Sequence, residues 1–169
     1  MSVGGPGQIH QTDMRITVTL PHLRALPGRL NLNDFECICL GKADNDAASA
    51  HGNPSRDPTR AFGDTPCGTY GIAVGTVEQP EHAYGPHPVI HIVPLTGDGI
   101  ERARNERMQP YQLGLLIHSG PLNAAGQLRP THGCLRVHDD DQAKLVEMLA
   151  GQQATLEVIE ETAQQKRAA

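Results

Sequence analysis

Hydrophobic and polar residues alternate along much of this chain, and that alternation predicts strands more often than helices. In Arg15-Ile16-Thr17-Val18-Thr19-Leu20, the residues Ile16, Val18 and Leu20 share one face, the mark of a half-buried strand. Phe35-Glu36-Cys37-Ile38-Cys39-Leu40 is more apolar and reads as a second, better buried strand closed by Gly41. The turn formers from Gly63 to Gly68 feed a strand at Tyr70-Gly71-Ile72-Ala73-Val74, and Val89-Ile90-His91-Ile92-Val93 is another, set between Pro88 and Pro94. Leu113-Gly114-Leu115-Leu116-Ile117 is wholly apolar and runs into His118, which predicts a central strand covered on both faces. Ala154 to Ile159 alternates again as a last strand.

Helical periodicity is convincing in one place. Asp139-Asp140-Asp141-Gln142 reads as a helix start, with Asp139 as cap, Gln142 completing a capping box and an acidic first turn suited to the positive helix end. Leu145, Val146 and Leu149 form its inward stripe, and Gly151 ends it. Residues 96–110 are charged and predict a short helix or a lid, with Arg102, Arg104 and Arg107 on a solvated face among Glu101 and Glu106. Residues 41–63 show no periodicity and read as a long loop, either functional or disordered. The expected organisation is one domain over 14–160, between a flexible lead-in (1–13) and a flexible tail (161–169). It is mainly β, a sandwich or barrel with one or two short helices.

Composition narrows the function classes. With 18 Gly and 13 Pro among 169 residues and no Trp, the chain favours short strands, many turns and an aliphatic core. A formal charge of −5 argues against a general binder of nucleic acid or anionic membrane. No apolar run approaches the ~20 residues of a membrane span. The first residues show neither the basic nor the apolar region of a secretory signal. The expectation is a cytoplasmic protein, or one exported by another route. Cys37 and Cys39 share a strand face and read as small buried hydrophobes, with Cys67 as a packing residue.

The chemistry concentrates near Thr131-His132-Gly133-Cys134-Leu135-Arg136. A free thiol has a pKa of about 8.5, so a nucleophilic cysteine needs a base within hydrogen-bond reach. His118 ends the buried strand, and the turn-rich residues 119–130 let the chain double back towards Cys134. The imidazole in turn needs its other nitrogen oriented, and the main chain of Ser119 is the nearest candidate. Gly133 lets a substrate carbonyl approach the backbone, where the amides of Gly133 and Cys134 are the natural oxyanion donors. Arg136 shares a face with Cys134 and is placed to hold a substrate carboxylate or to fix the loop. A zinc hydrolase built from some of His82, His87, His91, His118, His132 and His138 is the lesser reading, because no HExxH or CxxC spacing is present.

These strings resemble a known signature. His118-Ser119-Gly120 followed by Thr131-His132-Gly133-Cys134-Leu135-Arg136 is similar to the catalytic motif of the L,D-transpeptidase, or YkuD-like, family, and Thr65-Pro66-Cys67-Gly68-Thr69-Tyr70 resembles a second stretch of it. The resemblance implies a YkuD-like β-sandwich of mixed sheets. It implies Cys134 as nucleophile, His118 as base held by the Ser119 carbonyl, and Gly133 and Cys134 as oxyanion hole. His132, Arg136 and Thr131 then line the substrate site. The implied reaction is acyl transfer on peptidoglycan stem peptides giving 3-3 cross-links, with no metal and no organic cofactor. The alternative within the same fold is an L,D-carboxypeptidase or D-amino-acid exchange enzyme acting as a cell-wall-targeting antibacterial effector. Its partners would be a secretion machinery or an immunity protein, and its place of action the periplasm or wall. The spacer at 119–130 is short for that family.

Overall fold

The computed structural model describes residues 14–76 and 82–161. The expected lead-in, and all of the expected tail beyond Glu161, lie outside these residues. Eight strands form one mixed sheet: β1 (Met14–Leu20), β2 (Gly28–Leu32), β3 (Phe35–Cys39), β4 (Gly68–Gly75), β5 (Val89–Pro94), β6 (Leu116–His118), β7 (Leu135–Arg136) and β8 (Ala154–Glu160). The spatial order is β3-β2-β1-β8-β4-β5-β6-β7. The β1–β8 and β6–β7 pairs are parallel, and the other neighbours are antiparallel. The mainly β reading holds, with one sheet curled nearly closed.

Closure happens where the two edge strands meet. Just past β3, Leu40 bridges Arg136 of β7, with N–H···O bonds of 2.9 and 3.0 Å in the two directions. Two residues further on, Thr131 N donates to Lys42 O (3.1 Å) and Asp44 N donates to Thr131 O (2.8 Å). These bonds give the exposed edges of the sheet a partner, as sheet edges require. They also pin residues 131–136 at the rim.

Inside the curl, Ile16, Val18, Leu20, Leu30, Leu32, Ile90, Ile117, Leu135, Leu156 and Val158 are buried in one core, joined by Leu145 and Leu149. The strand β2 escaped sequence reading, although Leu30 and Leu32 alternate inward and Asn33, with φ 53°, makes the tight turn into β3. Cys37 and Cys39 are buried, reduced and packed as apolar residues, and burial lifts both thiols to about 12.

Three α-helices are present among the described residues: α1 (Asn45–Ala50), α2 (Asp98–Asn105) and α3 (Asp139–Leu149). The span 41–63 is therefore not plain loop. Asp44 caps α1 by accepting from Ala47 N at 2.8 Å, and the buried Asn53 side chain ties down the turn behind it through Asp57 N, Asp57 O and Ala61 O. The arginines of 102–107 also depart from expectation. Arg104 pairs with Glu101 at the surface, but Arg102 is 3% exposed and turns inward. Its guanidinium finds carbonyl acceptors inside, which a charged group needs there.

The capping box expected at α3 is absent. His138 occupies the cap position without a side-chain bond, and Gln142 instead lies wholly buried, donating to Pro88 O (2.8 Å) and Ile117 O (3.1 Å). One amide thus clamps α3 onto the ends of β5 and β6. Replacing Gln142 with Leu leaves those two carbonyls without this donor and is expected to cost about 1–3 kcal/mol. Urea unfolding measures the loss, and an unchanged midpoint would contradict the clamp.

Candidate active site

The parallel pair β6–β7 sets the geometry. Ile117 stands level with Leu135 and His118 with Arg136. Side chains alternate across a strand, so Ile117 and Leu135 enter the main core while Leu116, His118, Cys134 and Arg136 turn to the other face. His118 and Cys134 are diagonal neighbours on that face and line one pocket of about 230 Å³. The doubling back expected of residues 119–130 therefore takes place, and it is sheet pairing that brings the two together.

His118 is 2% exposed, and its Nδ1 lies 2.7 Å from Ser119 O. A carbonyl only accepts, so Nδ1 carries the proton and Nε2 keeps its lone pair. Arg136 Nη1 donates to the same oxygen (3.1 Å) and to Ala83 O (3.0 Å). Tyr84 meets the imidazole edge-on, with ring centroids 4.9 Å apart. Burial, then the Arg136 charge, outweigh the Ser119 bond and lower the His118 pKa to about 4. The ring is neutral at ordinary pH and its basic nitrogen is unprotonated.

Cys134 is 9% exposed, and burial pushes its thiol up to about 11 despite hydrogen bonding to the Leu116 main chain and the charges of Arg102 and Arg136. In this state Sγ contacts Gly114 O at 3.9 Å rather than the His118 ring. The site at rest is therefore a neutral thiol beside a neutral imidazole. Catalytic hydrogen bonds in an unliganded site are commonly loose and tighten when substrate arrives.

The loop carrying Cys134 is held on every side. Thr131 Oγ1 donates to Cys134 O (2.9 Å) and accepts from Gly133 N (3.1 Å), while Thr65 Oγ1 donates to the same Cys134 O at 3.0 Å. That contact gives the Thr65-Pro66 string a physical purpose. Tyr70 Oη, bonded to Pro66 O at 2.5 Å, fixes the turn in place. The Gly133 amide is committed to Thr131. Of the two amides expected to face an oxyanion, Cys134 N is the one without an acceptor among the described residues. Thr131 is a brace of the loop whose side chain also lines the pocket. His132 is exposed and lies against Phe62, with centroids 5.1 Å apart. Phe62 holds φ 62° and stacks on His51 at 3.6 Å.

Arg102 was missed by sequence reading and lies beneath this loop. Nε donates to Pro58 O (2.8 Å) and Nη2 to Asp64 O (2.7 Å). Gly133 has φ +120°, and a Cβ there would stand 2.5 Å from Arg102 Nη1 and 3.0 Å from Gly63 O. The glycine thus has a packing reason as well as the conformational one. Alternating Glu and Arg over 101–107 masked the signal, because only the turn of α2 decides which arginine faces in. Cys67, by contrast, packs against the core and accepts from Arg24 Nη2 at 3.5 Å, away from the pocket.

A buried thiol and a strand-borne histidine thus line one pocket on a nearly closed mixed sheet. No model of a known protein family matches the chain, and no curated protein matches it. Solved structures do match in fold. The helical cell shape determining protein Pgp2 from Campylobacter jejuni aligns with TM-scores of 0.51 for a point mutant and 0.50 for the unmutated form, each at 15% identity. The matches cover 90% and 89% of this chain and 50% of each of those. The chain thus spans about half their length, and at such identity the likeness speaks for the fold.

Two outcomes follow for the site. Gly133→Ala is expected to lose about 1–3 kcal/mol of stability, the scale of a residue forced into a sparsely populated conformation; wild-type stability in thermal unfolding would contradict the packing described. Alkylation of Cys134 by iodoacetamide, followed by peptide mass, is expected to keep accelerating as pH rises towards about 11, since only thiolate reacts. A plateau reached near neutral pH would contradict the neutral resting thiol.

Proposed function

We propose that this protein is a cysteine acyltransferase acting on peptidoglycan stem peptides, with L,D-transpeptidation as its reaction. The observation that carries the reading is the shared face of β6 and β7. A thiol and an imidazole whose Nε2 is held unprotonated line one pocket there, at the end of the string that resembles the family motif. The fold shared with a protein that determines helical cell shape is in keeping with a wall substrate.

In this reading Cys134 Sγ attacks the carbonyl carbon that precedes the terminal D-amino acid of a tetrapeptide stem. The thiol proton passes to His118 Nε2, and the oxyanion forms against Cys134 N–H. Collapse breaks the peptide bond, His118 returns the proton to the leaving amine, and the stem remains as a thioester on Cys134. An amine of a neighbouring stem then attacks, restores the thiol and completes a 3-3 cross-link. Water in its place gives carboxypeptidase action, and a free D-amino acid gives exchange. The pocket, at about 230 Å³, is below the roughly 300 Å³ of ordinary ligand pockets, so it suits the end of a peptide rather than a whole stem. Cross-linking of the assembled wall would place the exported protein in the periplasm or wall.

Incubation with purified tetrapeptide muropeptides tests this. A cross-linked dimer is expected from transfer, and loss or exchange of the terminal D-alanine from the alternatives. No change in the stems, or turnover retained by Cys134→Ala, would sink the reading. The pH profile adds a sign. His118 must be neutral to accept a proton, so kcat/KM is expected to hold down through pH 6 and fall as pH drops through about 4. A fall centred near 6.5 would show that the imidazole is not the buried neutral group described.

A further inference from the structure

The pocket beside Cys134 is more cationic than the chain around it. The protein carries a formal charge of −5, yet the Asp, Glu, Lys and Arg side chains lining this pocket are Arg129, Arg136 and Asp44. Asp44 spends a carboxylate oxygen capping α1. Arg136 is 5% exposed, with Nη1 bound to Ala83 O and Ser119 O, so its guanidinium is locked as the brace of His118. Its Nε is buried without a partner. Arg129 differs in each respect. It is exposed, lines the pocket, and has neither an ion pair nor a hydrogen bond among the described residues. Burial and then the Arg129 charge lower the Arg136 pKa, so the two guanidiniums lie within electrostatic reach of each other.

Two guanidiniums that repel across a pocket, one of them with a buried unpaired N–H, are stabilised by an anion placed between them. Guanidinium suits a carboxylate best, because its parallel N–H groups match the two oxygens. Arg136 is not free to swing, and Arg129 is. We propose that Arg129 is the specificity-determining residue of this site, reading a free carboxylate on the peptide presented to Cys134, with Arg136 as the fixed member of the pair. This rests on the reading of Cys134 as the nucleophile. It narrows the donor to peptides that end in, or carry next to the reacting carbonyl, an unamidated carboxylate.

Two alkylating reagents that differ in charge test the proposal without any peptide. Cys134 in the full chain is alkylated by anionic iodoacetate and by neutral iodoacetamide at low ionic strength and pH 8.5, and each rate is read from the Cys134 peptide by mass spectrometry. The iodoacetate-to-iodoacetamide ratio is expected to fall about fivefold in Arg129→Gln, the effect of one unit charge a few ångströms away in water. It is expected to stay high in Arg129→Lys, and to converge on that of Arg129→Gln as salt is added. An equal ratio in wild type and Arg129→Gln overturns the proposal. So does a parallel change in both rates, which would mean a displaced loop rather than a lost charge. With stems as substrate, Arg129→Gln is expected to raise KM for the free-acid tetrapeptide over that for its C-terminal amide. If wild type turns over no stem while the iodoacetate preference still depends on Arg129, the carboxylate site stands and the peptidoglycan reading fails.

Discussion

The seam between the two edges of the sheet is the constraint on which the site depends. Leu40 pairs with Arg136 in both directions, and Lys42 and Asp44 hold Thr131 from either side. A loop at a sheet edge would otherwise present unpaired backbone groups and move freely. Here the edge is consumed by its own chain, so Cys134 is fixed between two anchored positions three residues before and two after it. Thr65 and Thr131 then converge on the Cys134 carbonyl. Such over-determination is what allows Gly133 to keep a φ of +120° against a buried arginine.

The electrostatics follow from the same packing. Burial alone disfavours both thiolate and imidazolium, which separates the two groups' titrations instead of pairing them as ions. Arg136 contributes twice, by fixing the Ser119 carbonyl that sets the histidine tautomer and by holding positive charge near the ring. In the proposed reaction, proton transfer is left to the moment when substrate displaces the thiol from Gly114 and an oxyanion develops. That suits acyl transfer, where charge appears in the transition state and a preorganised environment acts on it most strongly.

Much of this was legible in the residue order. Alternation located β1 and β8, an apolar run between two prolines located β5, and the apolar run before His118 was indeed a strand covered on both faces, though the strand itself is only Leu116–His118. That Cys134 and His118 share a pocket was readable from two short strings joined by a turn-rich spacer. What was not legible depended on contacts between distant segments. Arg102 looks like any solvent arginine until the rotation of α2 places it under Gly133. Gln142 satisfies a capping rule in the sequence, but two carbonyls 54 and 25 positions away claim its amide. The stretch 41–63 lacks periodicity because side chains such as Asp44, Asn53 and Asp64 hold it through backbone hydrogen bonds rather than through an apolar face. Local propensity lost to long-range satisfaction in each case.

Intact-mass spectrometry of the protein mixed with a tetrapeptide stem bears most directly on thioester chemistry at Cys134. The expected result is a covalent adduct of the stem less its terminal residue, located on the Cys134 peptide and discharged by hydroxylamine. Absence of any adduct under conditions where the stem is consumed, or an adduct that persists in Cys134→Ala, would contradict it.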